Sequence, residues 1–101
     1  MNRDVKILLE RIQPLFKRMS QTRYWIRVVN DQFDEQYNFF FHSQHRGMRE
    51  KSVPLHSIKN YRLEYLEKVI SLFKENLNLS IYYAGFKGLR WPSTNKRIQW
   101  K

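Results

Sequence analysis

The chain has 101 residues, and its 19 Lys and Arg against nine Asp and Glu give a formal charge of +10 and an isoelectric point near 10.2. That length holds one modest core, and a 42% hydrophobic share with seven Phe, six Tyr and three Trp excludes a disordered tail. With no cysteine, disulfide and thiol chemistry are excluded, and no apolar run approaches the roughly 18–20 residues that span a bilayer.

Residues 4 to 20 come first, with Val5, Leu8, Leu9, Ile12, Phe16 and Met19 at helical spacing. Asp4 is placed to cap this helix, and Pro14, which lacks an N–H, is expected to kink it. The apolar stripe is read as core packing, because the opposite face carries both charge signs. The opening MNRDVKILLERI mixes acids and bases and lacks the apolar stretch of a secretory signal. A cytoplasmic location is the expectation.

Residues 23 to 42 hold the densest run of β-branched and aromatic residues. RYWIRVVN and YNFFFH predict two strands joined by the polar loop DQFDEQ. Read with period two, Tyr24, Ile26 and Val28 share one face with Tyr37, Phe39 and Phe41, a wholly apolar or aromatic set suited to a core. The opposite face sets Trp25 and Phe40 beside Arg27, Asn38 and His42. Arg46-Gly47 marks a turn, and Arg49 to Val53 reads as a short third strand before Pro54. Ser57 to Asn76 predicts a second helix capped by Ser57, with Leu63, Leu66, Val69, Ile70, Phe73 and Leu77 in phase and Glu64 paired with Lys68. Asn76 or Asn78 is expected to end it in a left-handed turn. Leu79 to Phe86 reads as a strand with Tyr82, Ala84 and Phe86 on one face. A turn over Arg90 to Asn95 leads to a last strand, Lys96 to Lys101, with Ile98 and Trp100 inward.

The expected fold is thus a single α+β domain over residues 1–101, an antiparallel sheet with two helices on one face, in the order α-β-β-(β)-α-β-β. Its opening helix, strands and helix resemble the element order of double-stranded-RNA-binding domains. The glycine and lysine motif that opens that family's second helix is absent, so the order alone carries the resemblance.

For function, a strongly basic domain favours polyanions, and aromatic rings interleaved with cations can stack on bases while holding phosphates. This predicts a non-enzymatic domain that binds single-stranded nucleic acid or structured RNA with low sequence specificity. The residues expected to bind are Trp25, Arg27, Phe40 and His42 on the strands, Arg46, Arg49 and Lys51 after them, and Lys87, Arg90, Trp91, Lys96 and Arg97 near the end of the chain. The acids Asp31, Asp34 and Glu35 gather in the hairpin loop, so one end of the molecule is expected to be basic and the other acidic. The alternative is an interaction module that docks on an acidic protein, on a ribonucleoprotein assembly or on itself. A third reading is a small ribonuclease using His42 and His45 with Arg46, Arg49 and Lys51, or Tyr82 and Arg90. No glycine-rich phosphate loop occurs. His42, His45 and His56 without Cys do not have the spacing of a zinc site, so neither a cofactor nor a metal is expected.

Overall fold

Two long strands form where the β-branched and aromatic residues are densest. In the computed structural model, which describes residues 2–15 and 21–98, these are β1 (Thr22–Asp31) and β2 (Gln36–His45). Helix α1 (Arg3–Ile12) precedes them, and β3 (Lys51–Ile58), α2 (Leu63–Asn76) and β4 (Ser80–Ala84) follow. The described residues form an α+β fold with two helices and one four-stranded sheet in the order β3-β2-β1-β4.

Alternation decides which side of the sheet is buried. Ile26 and Val28 of β1, Tyr37, Phe39 and Phe41 of β2, and Leu55 and Ile58 of β3 join Val5, Leu8 and Ile12 of α1 and Leu66, Val69, Ile70 and Phe73 of α2 in one core. Both helices therefore pack on the same face. Residues 16 to 20, the expected continuation of the first helix, lie outside the described residues.

Several boundaries differ from the sequence reading, each for a physical reason. Asn2 caps α1 instead of Asp4, its Oδ1 accepting from the backbone N–H of Asp4 at 2.8 Å and of Val5 at 3.3 Å. The Asp4 carboxylate is turned across the molecule, 2.6 Å from His56 Nε2, and accepts from the Tyr65 hydroxyl. That links α1 to β3 and α2. The third strand runs on through Pro54 because β3 is an edge strand, where a missing N–H removes no interior ladder bond. A bulge sits opposite Phe39 and Phe40, which pair with His56 and Pro54. It lets the consecutive residues Leu55 and His56 both serve the helix side. Ser57 is consequently a strand residue, its hydroxyl donating to Asn38 Oδ1 at 2.6 Å, and α2 starts only at Leu63. The helix ends at Asn76 with Leu77 extended, not left-handed.

The sheet is mixed, where an antiparallel one was expected. β3 ends beside Tyr37, and after α2 the chain re-enters beside Trp25, so β4 runs parallel to β1 with Ile26 opposite Ile81 and Val29 opposite Ala84. A helical crossover is what parallel neighbours require. Of the expected last strand, the described residues carry one bridge, Arg90 with Arg97, beside a buried Ile98. Residues 99 to 101 lie outside the described residues.

Burial has a titratable consequence. It pushes the hydroxyls of Tyr37 and Tyr83 up to about 12, helped at Tyr37 by the nearby Tyr61 and Glu64. Unfolded tyrosines ionise near pH 10, so over the next two units the unfolded chain has released protons that the folded chain still holds. The stability contributed by these groups is fully present below pH 10 and is lost as pH rises toward 12. An alkaline titration should show part of the tyrosinate absorbance appearing together with loss of circular dichroism. Smooth titration of every tyrosine near pH 10 in a folded chain would contradict the packing.

Candidate nucleic-acid interface

The face of the sheet away from the helices carries the second set of alternating residues. Register places them in rows across all four strands. One row reads Ser80, Trp25, His42, Ser52; the next reads Tyr82, Arg27, Phe40, Pro54; a third reads Ala84, Val29, Asn38, Ser57. Arg23 and Gln44 form the end of the β1–β2 pair beyond the first row. Trp25, Phe40 and Tyr82 are half-buried and Arg23 and Arg27 are exposed; of the residues named on this face only His42 is buried.

Trp25 is the centre of this surface. Its ring stacks on His42 with centroids 5.4 Å apart and planes 24° from parallel. The Arg23 guanidinium lies over it at 5.8 Å, within the range of a cation–π contact. Together with Arg27, Gln44, Glu50 and Tyr82 these residues line a depression of about 370 Å³. The chemistry on offer is one flat ring flanked by two guanidinium groups, each with hydrogens in a fork that suits phosphate oxygens. Glu50 is the one acid in the lining.

His42 serves differently from the sequence expectation. Its Nδ1 is 2.7 Å from Glu50 Oε2, and Ser52 Oγ stands 3.4 Å from its Nε2. Buried and held from both sides, it packs against the Trp25 ring from the neighbouring strand and is engaged within the protein rather than free for a phosphate. His45 lies three residues on, hence on the other face of β2, where Nδ1 meets Thr22 Oγ1 at 2.7 Å. His56 is engaged with Asp4 on the helix side. The two histidines of the ribonuclease reading therefore do not converge on one phosphate from this sheet. Among the described residues no group of three or more His, Asp or Glu is arranged to hold a metal ion.

The remaining expected residues fall into two places. Arg46, Arg49 and Lys51 are exposed in and after the β2–β3 turn, at the end of the sheet where Arg23 and Gln44 also lie. They add positive charge at this rim of the sheet, Lys51 from the helix-side row, opposite Ser43. Lys87, Arg90, Lys96 and Arg97 are exposed too, but they follow β4, whose parallel course delivers them to the opposite end. There Asn30 Nδ2 donates to the Gly85 carbonyl at 3.0 Å. The chain then folds back along the helix layer, where Trp91 packs edge-on against Tyr83 at 5.4 Å and Ser93 donates to Glu67. Among the described residues the expected division into a basic and an acidic end gives way to two basic patches, one of them starting at the end that bears the acidic hairpin.

Arg23 and Tyr82 were missed as members of this surface. Arg23 was legible, since it stands two residues before Trp25 and shares its face. Tyr82 was not, because only the parallel pairing of β4 with β1 sets it beside Arg27.

No family model matches the chain, and comparisons with the curated proteins and with solved structures give no match. Among the described residues no helix is long and apolar enough to cross a membrane.

Proposed function

We propose that this chain is a non-enzymatic nucleic-acid-binding domain that takes single-stranded nucleic acid or unpaired RNA on the sheet face away from its helices. The observation that carries the reading is Trp25, half-exposed between Arg23 and Arg27 on that face. A base stacks on the indole and displaces the Arg23 guanidinium, which then turns to a neighbouring phosphate. Phe40 and Tyr82, in the row beside it, offer the next stacking positions. Stacking of this kind tolerates any base, so sequence preference is low. Arg46, Arg49 and Lys51 continue the phosphate path off the end of the sheet. Duplex readout fits less well, because among the described residues no helix presents a strongly basic face to a groove.

Affinity for a fluorescent single-stranded oligonucleotide, measured at several salt concentrations, tests this. Each phosphate contact adds about 0.7 to the slope of log affinity against log salt. Replacing Arg23, Arg27, Arg49 and Lys51 by Ala should flatten the slope by roughly two to three. The same change at Lys87, Arg90, Lys96 and Arg97 should leave it nearly intact. The reverse ranking would move the site to the segment after β4. An association independent of salt, or an acidic protein retained from lysate after nuclease treatment, would favour the interaction-module reading instead.

A further inference from the structure

One cluster on the sheet takes no part in the proposed binding of bases and phosphates. His42 stands directly opposite Ser52 on the neighbouring strand, so both side chains share the open face. Glu50, two residues before Ser52, reaches the same ring. Its Oε2 is 2.7 Å from His42 Nδ1, and Ser52 Oγ is 3.4 Å from Nε2. A carboxylate only accepts, so Nδ1 carries the hydrogen and Nε2 turns its lone pair to the serine hydroxyl. The ring is buried and packed on Trp25, which fixes its orientation. Serine, imidazole and carboxylate thus stand in the order of a nucleophile, a base and the group that orients the base. Thr22 and His45 make another hydroxyl–imidazole contact, but among the described residues no acid holds that ring.

We propose that Ser52 is an activated serine that accepts the acyl group of an activated carboxylic ester. Its Oγ attacks the ester carbonyl while the hydroxyl proton passes to His42 Nε2. The bond to the leaving group then breaks, and the departing alkoxide takes that proton, which leaves the acyl group esterified to Ser52. Without such a base a serine hydroxyl is a weak nucleophile. The 3.4 Å contact is at the long end of hydrogen bonding, as such contacts often are before the reacting group arrives and draws them in. Ser52 is exposed on the edge strand, outside the depression around Trp25, so an acyl donor reaches it without entering a cavity. It is therefore a site of covalent modification beside the binding face, and it goes beyond the binding function without depending on it.

The test treats nucleic-acid-free protein with an alkyl fluorophosphonate, which forms a stable ester on activated serines by losing fluoride. Peptide mass spectrometry should place the label on Ser52. Ser93 is the internal control, an exposed serine whose hydroxyl meets the Glu67 carboxylate at 2.6 Å and, among the described residues, no imidazole. His42→Gln should slow labelling about 100-fold or more, as loss of a general base does. Because that ring is buried, the exposed Glu50 gives a second series. Glu50→Gln, whose amide oxygen still accepts from Nδ1–H, should label faster than Glu50→Leu, with circular dichroism confirming that both are folded. Release of nitrophenolate from p-nitrophenyl acetate should likewise be slower for Ser52→Ala than for the wild type. An unlabelled Ser52, labelling of Ser93 at the same rate, a folded Glu50→Leu protein that labels as fast as the wild type, or equal ester cleavage by Ser52→Ala would each overturn the proposal.

Discussion

Trp25→Ala is expected to weaken binding of a single-stranded oligonucleotide by roughly 5- to 150-fold, since a base stacked on an aromatic ring contributes about 1–3 kcal/mol. The fold should be little affected. The indole is half-buried on the face without helices, and its contacts are the His42 ring and the Arg23 guanidinium, not the core. The charge of the protein is unchanged, so the salt slope should stay as in the wild type while the affinity falls at every salt concentration. Arg27→Ala should do the opposite, lowering the slope by about 0.7 with a smaller loss at high salt. This separation of slope from intercept is what a stacking ring beside a phosphate contact predicts. Trp25→Phe, which keeps a ring face, should recover most of the affinity. An unchanged affinity in a folded Trp25→Ala protein would remove the ring from the site and leave the surface to charge alone.

How far this surface could be read from the sequence depends on which residues specify it. Period two placed Trp25, Arg27, Phe40 and His42 together correctly, because a hairpin with one apolar face fixes its own register. The same rule sorted Tyr37, Phe39 and Phe41 into the core, where all three are buried. Local pattern does not report which strand becomes the neighbour of β1. The parallel course of β4 decided where Tyr82 and the basic residues after it would stand, and that course follows from the helical crossover. Nor does it report side-chain partners. Glu50 holds His42, and Ser57 is used within the sheet rather than at a helix start. Asp4, a sound cap by composition, was drawn instead to His56, 52 residues away. At Asp4 a long-range hydrogen bond overrode a local preference, and at Ser57 the extended pairing of the edge strand did.

Gly85→Val is expected to be among the most damaging single changes, lowering stability by about 3 kcal/mol or more. In a domain of this length that corresponds to a Tm lower by roughly 12–24 °C. Gly85 has φ +82°, a left-handed conformation that side chains resist, and a Cβ there would stand 2.9 Å from the Asn30 carbonyl oxygen and 3.3 Å from Asn30 Cβ. The close approach is fixed from several sides. Asn30, buried, donates from Nδ2 to the Gly85 carbonyl and accepts from the Tyr61 hydroxyl at 2.6 Å. The turn at Gly85 also resets the alternation of β4. Phe86, which strict period two would put with Tyr82 and Ala84 on the open face, instead enters the core, stacked on Tyr37 at 5.9 Å and edge-on to Tyr83 at 5.8 Å. A residue that widens the turn therefore threatens both the Asn30 hydrogen bonds and the seat of a fully buried ring. Gly88 supplies the control, because it has nearly the same φ of +81° with no atom within 4 Å of an added Cβ. Gly88→Ala should lose only the cost of the backbone conformation, about 1–2 kcal/mol, and Gly85→Ala should lose more by the amount of the clash. Equal losses in thermal denaturation would mean that the Asn30 backbone gives way, and that the end of β1 is not held by this contact.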